Sequence, residues 1–350
     1  MTSLNASCPN TAHFLANMTG SNTSMNVSSP NTCSANMTDW EKAMNKLYTI
    51  FYLIIFIPGL LSNTLALWVL CRFISKKTKA IIFMINLTIA DLAHVLSLPL
   101  RIHYYIHGIW PFGSVLCLLC FYLKYLNMYA SIAFLVCISV QRCVFLMRPF
   151  RAKQWKSRYD VCISITVWLV VGFCCSPFVL MRKVPGNESS HCFKDLPMRK
   201  LDFRLAISMM AAAEFFGFIG PLIVIIFCTC LIANSLRQRT QKEQSTGNTR
   251  KALRMVRVCT GVFLCCFAPY HINFLFYLMV TQGIITNCEV SQFIKQLHPI
   301  SLCMASLNCC LNPLIYYFLT TEFRQQLSNQ GSSVLRGRLM STESTSSYRE

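Results

Sequence analysis

Seven long stretches of apolar residues, separated by shorter polar segments, make up most of the 350-residue sequence. They lie near 48–71, 80–106, 114–147, 160–182, 203–236, 251–280 and 293–318. Each stretch reaches the ~20 residues that an α-helix needs to cross the hydrocarbon core of a bilayer. The pattern predicts an all-α membrane protein with seven transmembrane helices, which we number span one to span seven.

Span three carries a basic residue toward each end. Lys124 and Arg142 are 18 residues apart, roughly 27 Å along an α-helix, against ~30 Å for the hydrocarbon core. One cation is therefore expected near each membrane face, and we interpret span three as a path between an outer and an inner site. In the alternative interpretation, both side chains only extend toward the lipid headgroups.

The composition agrees with a membrane protein. Hydrophobic residues make up 54% of the chain and charged residues 13%, and the mean hydropathy is +0.46, which excludes an ordinary soluble domain. The net charge of +19 alternates with apolar runs, and this distribution argues against nucleic-acid binding. The 20 cysteines lie mostly in the apolar stretches without the spacing of a zinc site.

The distribution of basic residues orients the spans. Basic residues cluster after spans one, three and five, at 72–79, 148–158 and 237–257. Because Lys and Arg are enriched in cytoplasmic loops, these segments are expected inside the cell. An odd number of spans then places the N-terminus outside and the C-terminus inside, in a multi-pass protein of the plasma membrane.

The two ends of the chain differ from the transmembrane domain at 47–320. Residues 1–46, rich in Asn, Ser and Thr, are predicted to form a disordered extracellular tail without a cleavable signal peptide, so span one is expected to direct translocation. Residues 321–350 are predicted to form a short amphipathic eighth helix and a Ser/Thr-rich cytoplasmic tail. The candidate N-glycosylation sites are Asn5, Asn17, Asn22, Asn26, Asn36 and Asn187.

Every span carries residues that are typical of one large family. From span one to span seven, these are Asn63, Asn86–Asp91, Cys117, Arg142, Trp168, Pro221, Phe263–Tyr270 and Asn312–Tyr316. Together they resemble the rhodopsin-like (class A) G-protein-coupled receptors. Within this family, the segments 57–60, 81–86 and 121–131 resemble the purinergic-like branch and its members that respond to lysophosphatidylserine.

The resemblance implies a receptor, and not an enzyme, that meets a heterotrimeric G protein at Arg142. Gln141, Asn312 and Tyr316 are the further coupling residues. In the family an acidic residue usually precedes this arginine; because Gln141 takes its place, the ion pair of the inactive state is missing and some basal activity is expected. The resemblance also suggests G proteins of the twelve/thirteen class, with arrestin and receptor kinases as partners of the tail.

The resemblance assigns two internal devices. Phe267 stands where the family usually has a Trp that changes rotamer, above the helix-bending Pro269; plain core packing is the alternative. An allosteric sodium ion is also implied, with a polar network completed by water as the alternative. The implied sodium ligands are Asp91, Ser131, Asn308 and Asn312.

The resemblance further implies a disulfide between Cys117, at the top of span three, and Cys192 in the second outer loop. Cys33 and Cys288 are candidates for a second disulfide between the tail and the third outer loop. Cys8 leaves an odd number of extracellular thiols, so it is an alternative partner in that second bond.

Basic and aromatic residues converge at the outer ends of the spans. The candidate ligand-binding residues are Arg101, Tyr105, Lys124, Tyr125, Glu214, Tyr270, His271 and Phe274, with Arg199, Lys200 and Arg204 at the rim. The cations suit a phosphate or carboxylate. Glu214 suits a ligand ammonium, with an ion pair to a neighbouring Lys or Arg as the alternative.

Nucleotide receptors of this branch pair a histidine in span six with a cation three residues later. Here Phe274 follows His271 at that spacing, and aromatic residues around it suit an acyl chain. The sequence therefore predicts an anionic lysophospholipid ligand, lysophosphatidylserine first, with a nucleotide as the alternative.

Three other classes of protein are weighed against a signalling receptor. A transporter or channel would show similarity between its halves, which this sequence lacks. A light-sensing pigment is excluded because span seven has no lysine between Leu297 and Phe318. A scaffold or decoy receptor that does not couple stays open because of Gln141.

Removal of the five sequons in residues 1–46, by Asn→Gln substitution, is expected to increase the gel mobility of the surface-expressed protein, because the basic loops place this tail outside the cell. Glycosidase treatment of the wild type is the matching measurement. Unchanged mobility after that treatment would remove one of the two supports for the orientation.

Overall fold

The computed structural model describes residues 31–73, 81–180, 182, 192–193, 202–242, 247–281 and 284–319. In this part of the chain the helices are α1 (Asn31–Phe73), α2 (Ile81–His107), α3 (Gly113–Met147), α4 (Pro149–Gln154), α5 (Ser157–Leu180), α6 (Phe203–Glu214), a π-helix (Phe215–Ile219), α7 (Gly220–Gln241), α8 (Gly247–Cys266), α9 (Ala268–Thr281), α10 (Cys288–Ser306) and α11 (Asn308–Leu319). Spans one to four are α1, α2, α3 and α5. Span five joins α6, the π-helix and α7; span six joins α8 and α9; span seven joins α10 and α11.

The observed helices follow the predicted spans closely. Among the described residues, six helical segments are long and apolar enough to cross a membrane, and they match spans one to six. Span seven consists of α10 and α11, which Leu307 separates. The predicted eighth helix at 321–327 lies outside the described residues.

The first helix is longer than the sequence predicted. It begins at Asn31 and has 43 residues, which gives it a length of ~64 Å, about twice the hydrocarbon core. The prediction of a disordered tail is therefore wrong for residues 31–46, while residues 1–30 lie outside the described part of the chain. Asn-rich composition alone does not distinguish an irregular segment from the start of a long helix.

Helix α3 lies at the centre of the bundle. It contacts α2, α5, α7 and α8, while α11 closes the bundle against α1, α2 and α8. Many large apolar side chains point outward; Leu169, Phe173 and Phe216 are 69–79% exposed. Helices that are apolar on all sides are expected where the outer surface faces lipid.

Side-chain amides and an indole tie the helices together inside this apolar bundle. Asn63 in α1 donates from Nδ2 to the carbonyl of Cys309 in α11 at 2.6 Å. Trp168 in α5 donates from Nε1 to Oδ1 of Asn86 in α2 at 2.8 Å. Asn63, Asn86 and Trp168 are among the residues that carry the family resemblance, and each of them bonds to a residue of another span.

The π-helix in span five lets this span approach α3 closely. A Cβ built on Gly217 would lie 2.6 Å from Cε1 of Tyr129, a distance at which one of the two groups has to move. Glycine is therefore required at this point of the turn. Glu214 immediately precedes the π-helix, so the same turn determines the direction of that side chain.

We expect Gly217→Ala to destabilise the protein by about 1–3 kcal/mol, because the added methyl group overpacks the Tyr129 ring. Gly261→Ala in α8 is the control, since nothing lies within 4 Å of its added Cβ. Thermal unfolding of the purified proteins in nanodiscs measures the difference. Equal melting temperatures for the two variants would contradict the close approach.

Candidate functional site

The bundle has two functionally different ends. We call the end that holds the Cys117–Cys192 bond the disulfide end, and the opposite end of α3 the Arg142 end. The structure contains the Cys117–Cys192 disulfide that the resemblance implied. Cys288 is also disulfide-bonded, but its partner lies outside the described residues, so the choice between Cys33 and Cys8 stays open.

Phe193, next to the disulfide, caps a cluster of aromatic side chains. Its ring lies 5.3 Å from that of Tyr104, 6.0 Å from that of Tyr105 and 5.3 Å from that of Trp110. Tyr105 stacks in turn on Tyr48 of α1 at 4.7 Å. The sequence predicts Tyr105 as a ligand contact. In the structure it lies in an aromatic layer that joins α1, α2 and the disulfide segment.

Arg101 lies directly beneath this layer. It is only 1% exposed, its Nη2 donates to the carbonyl of Cys120 in α3, and its guanidinium lies 4.5 Å from the centre of the Phe193 ring. Its Nε has no hydrogen-bond partner among the described residues. The side chain therefore ties α2 to α3 and to the disulfide segment, and a ligand has to pass Phe193 to reach it.

Lys124 lies deeper, on the wall of a small cavity between spans two, three and seven. The same cavity is lined by His94, Asn127 and Met128. His94 and Lys124 are close enough to interact electrostatically. Sequence inspection predicted Lys124 as part of the site but missed His94, which looks like an ordinary core residue on an apolar helix.

Glu214 and His271 meet in the next part of the site. Nδ1 of His271 lies 3.2 Å from both carboxylate oxygens of Glu214. The Phe218 ring stacks on the imidazole at 4.9 Å, and the Tyr129 ring packs edge-on at 5.8 Å. The residue that engages Glu214 is thus a histidine, and not the Lys or Arg that the sequence suggested.

Aromatic residues form the wall between these two groups. The side chains of Tyr125 and Tyr270 interact, and the Tyr270 ring stacks on Phe274 at 5.5 Å. Two further residues of this region were missed: Arg182, which lies over Phe121 at 4.7 Å, and His298. Arg182 is close enough to both Tyr125 and His298 to interact with them electrostatically. Only the fold brings these three residues together.

The residues predicted to hold sodium do come together. Asn127 donates to Oδ1 of Asp91 and Asn312 donates to its Oδ2, both at 2.9 Å. Asn308 donates to Oγ of Ser131 at 2.9 Å and to Oδ1 of Asn127 at 3.4 Å. This Asp91 network joins spans two, three and seven, and its side chains are almost completely buried.

Phe267 marks the interruption between α8 and α9. Its side chain is fully buried and packs edge-on against Phe263 at 5.8 Å. The backbone bonds from Phe267 to Phe263 and from His271 to Phe267 are kept at 3.0 and 3.1 Å, although Pro269 lies within the turn. The geometry suits a hinge and equally suits a packed core, so the switch role stays a prediction.

At the Arg142 end, Gln141 does not take over the missing ion pair. Its Nε2 donates to Oδ1 of Asp160 at 2.7 Å, and Trp155 donates to the same oxygen at 2.8 Å. Gln141 therefore connects α3 to α5 and to the loop between them. Arg142 lies near Cys259 of α8, which places the guanidinium between spans three and six.

Thr229, where the family commonly has a tyrosine, links spans five and six at the same end. Its Oγ1 lies 3.3 Å from Oγ1 of Thr260. Each hydroxyl also donates to a carbonyl of its own helix, at 2.8 Å. Because each hydroxyl has one hydrogen and donates it within its own helix, the contact between the two oxygens is a weak one.

Several predicted site residues are exposed or lie outside the described residues. Arg204 is exposed at the start of span five, so it lines no closed site. The others that lie outside the described residues, or whose side chains do, are the six glycosylation sites, Cys8, Cys33, Arg199, Lys200 and Tyr316.

Comparison with known proteins decides the family. The model described as "7 transmembrane receptor (rhodopsin family)" matches residues 62–316. The chain belongs to this family. The receptor is thus a multi-pass protein of the plasma membrane that signals through G proteins and is not an enzyme, which confirms the resemblance drawn from its motifs.

The receptor has close relatives. It is 58% identical over 306 residues to a Homo sapiens protein described as a putative purinoceptor, number ten of its series, covering 87% of this chain and 90% of that protein. It is 48% identical over 287 residues to "Probable G-protein coupled receptor 174" of Mus musculus, covering 81% and 85%. It is 34% identical over 294 residues to "Lysophosphatidic acid receptor 6" of Homo sapiens, covering 83% and 85%.

Arg142→Ala is expected to abolish G-protein activation while leaving agonist affinity nearly unchanged, because Arg142 lies at the end of the bundle opposite the disulfide. Arg148→Ala is the control, since Arg148 is exposed just beyond α3. G-protein dissociation and radioligand binding in transfected cells measure the two effects. Loss of surface expression for Arg142→Ala alone would assign the residue a structural role.

Proposed function

We propose that the receptor is activated at the cell surface by an anionic lysophospholipid, lysophosphatidylserine, which binds at the disulfide end. That end faces the outside of the cell, and the Arg142 end faces the cytoplasm. The phosphate or carboxylate of the ligand lies near Lys124 and Arg101, and the acyl chain lies along the aromatic wall.

The observation that carries the proposal is the pairing of charges inside the bundle. Among the described residues, the three carboxylates that are buried or partly buried are all engaged elsewhere: Asp91 by two amides, Asp160 by Gln141 and Trp155, and Glu214 by His271. Lys124 and Arg101 therefore have no described acidic partner. Buried cations are costly without an anion, so the site favours an anionic ligand.

The aromatic wall supports a lipid over a nucleotide. Phe274, three residues after His271, stacks on Tyr270, so this position offers an aromatic ring and not a cation for a second phosphate. Burial of acyl methylenes against such a wall contributes about 0.8 kcal/mol each. A nucleotide, suggested by the name of the purinoceptor relative, is the competing candidate in the test below.

Glu214 gives the site its preference for a head group with an ammonium. The carboxylate is held against His271 at 3.2 Å and is only partly exposed. An ammonium from the serine of the ligand would take the place of the imidazole as the partner of Glu214. This exchange frees His271 and thereby couples ligand binding to span six, which moves at the Arg142 end during activation.

At the cytoplasmic side, we infer that Arg142 meets a G protein of the twelve/thirteen class and that arrestin and receptor kinases act on the tail at 321–350. The family supports G-protein coupling in general. The subtype follows only from the resemblance to lysophosphatidylserine receptors, so a comparison of G-protein classes belongs in the test.

Lys124→Ala and Arg101→Ala are each expected to lower the potency of lysophosphatidylserine at least tenfold, because each removes a cation that the anionic head contacts. Dose–response curves are recorded for the lipid and for nucleotides across all G-protein classes. Lys295→Ala, an exposed cation of α10, is the control. Full lipid potency on both variants, or activation of the wild type by nucleotide alone, would overturn the assignment.

We also propose that the Asp91 network holds the allosteric sodium ion that the family resemblance implies. The residues fit such an ion: besides the Asp91 carboxylate, Oδ1 of Asn308 and Oδ1 of Asn312 are buried and have no described hydrogen-bond donor. Oxygen ligands of this kind suit a hard cation. When bound, the ion would neutralise Asp91 and keep spans two, three and seven together.

Asp91→Asn is expected to remove the sodium dependence of agonist affinity, since the variant lacks the only carboxylate of the network. The measurement is agonist binding in sodium and in an equal concentration of N-methylglucamine. Asp160→Asn is the control, because Asp160 is a buried carboxylate outside the network. An equal sodium effect in Asp91→Asn and the wild type would leave only the water-filled alternative.

A further inference from the structure

The cavity beside Lys124 lies between the Asp91 network, with which it shares Asn127, and the aromatic wall, with which it shares Tyr125. The cavity volume, counted as the positions that the centre of a water molecule can take, is about 10 Å³. One water molecule or one small ion needs roughly that much space. A phosphate or serine head group is too large for that space. The occupant of this cavity is therefore a single small particle.

The His94 side chain indicates which hydrogen bonds an occupant of the cavity has to make. The side chain is 1% exposed, and neither ring nitrogen has a hydrogen-bond partner among the described residues. A buried imidazole without partners is costly, so the cavity's occupant must bond to it. Because a neutral imidazole always carries one N–H, this occupant has to accept at least that hydrogen bond.

The charge around the cavity favours an anion over water. The Lys124 ammonium lies on the cavity wall, and Arg101 is near enough to interact electrostatically with both Lys124 and His94. Water would satisfy the imidazole but would leave two neighbouring cations without compensation from any described residue. An anion accepts the N–H groups and also offsets the repulsion between the cations.

The other polar groups of the wall are already engaged. Asn127 donates to Asp91 and Ser306 donates to the carbonyl of Leu302 at 3.1 Å. Tyr125, whose side chain bonds to Tyr270, also lines the wall, and Met128, Leu302 and Ala305 complete it with apolar groups. The cavity thus presents the donors of Lys124 and His94 in a wall whose other described polar groups are already bonded.

We propose that this cavity is a binding site for a monatomic anion of the size of chloride, held by the Lys124 ammonium and the His94 imidazole. The anion is one component of the ligand-free receptor. It shares Asn127 with the Asp91 network, so its presence fixes the side of span three that faces spans two and seven.

The test uses the ligand-free, full-length receptor in nanodiscs, so its failure does not bear on the lysophospholipid proposal. Sodium gluconate is replaced stepwise by sodium chloride at constant ionic strength, and the melting temperature is recorded. We expect a saturable rise of at least about 2 °C in the wild type, and a similar rise with bromide.

Two variants and one control assign the effect to the cavity. Lys124→Met removes the cation at similar length, and His94→Phe removes both ring nitrogens at similar size; each is expected to lose the chloride effect. Lys295→Met removes an exposed cation and is expected to keep it. If Lys124→Met does not fold, His94→Phe alone decides.

Two results would overturn the halide site. One is a melting temperature of the wild type that does not respond to chloride. The other is a chloride response that is equal in the wild type and in the folded cavity variants, which would assign it to anions bound elsewhere on the receptor.

Discussion

The buried carboxylate of Asp91 is the constraint on which the rest of the bundle depends. A carboxylate at mid-membrane costs about 2.5–3.5 kcal/mol or more unless it finds partners, and here it finds amides from α3 and α11. Those amides reach it only if spans two, three and seven keep one relative position. Apolar packing against lipid gives no such unique arrangement, because lipid tails are as apolar as the helices themselves.

The same need for partners governs the other charged groups inside the bundle, at both of its ends. Each buried or partly buried carboxylate of the described residues is bonded to a neutral or weakly basic group, whereas Lys124 and Arg101, toward the disulfide end, have no described acidic partner. Electrostatic compensation of these two cations therefore has to come from outside the described residues. At the Arg142 end, Gln141 is bonded to Asp160, while the Arg142 guanidinium lies between spans three and six.

The sequence allowed the fold and part of the site to be predicted. Hydropathy located the spans because their lengths are dictated by the bilayer, and the motif residues Asp91, Ser131, Asn308 and Asn312 converge as the family resemblance implied. The partners of Glu214 and Gln141, and the His94 that shares a cavity with Lys124, could not be predicted. Each lies on another span, and the rotation of a helix about its axis decides which side chain meets which.

Composition gave a wrong prediction for the segment before span one and no signal for His94. The Asn-rich composition before span one predicts irregular structure, yet residues 31–46 continue α1, because an existing helix extends without the cost of a new nucleus. His94 looked like a core residue in an apolar stretch. Only the cavity beside it, and the absence of a described partner for either ring nitrogen, show that its position carries chemical information.

The π-helix of span five lets the span hold one extra residue without turning its outer half away from the pocket. An α-helix turns by ~100° per residue, and a π-turn accommodates one residue more than an α-turn. The turn Phe215–Ile219 therefore absorbs a residue that, in a continuous α-helix, would rotate everything before it by that angle. Glu214 thus stays directed at His271. A related receptor that lacks the extra residue would keep the acid on the same side of the span, so an insertion or deletion at this point changes the length of the turn and not the chemistry of the pocket.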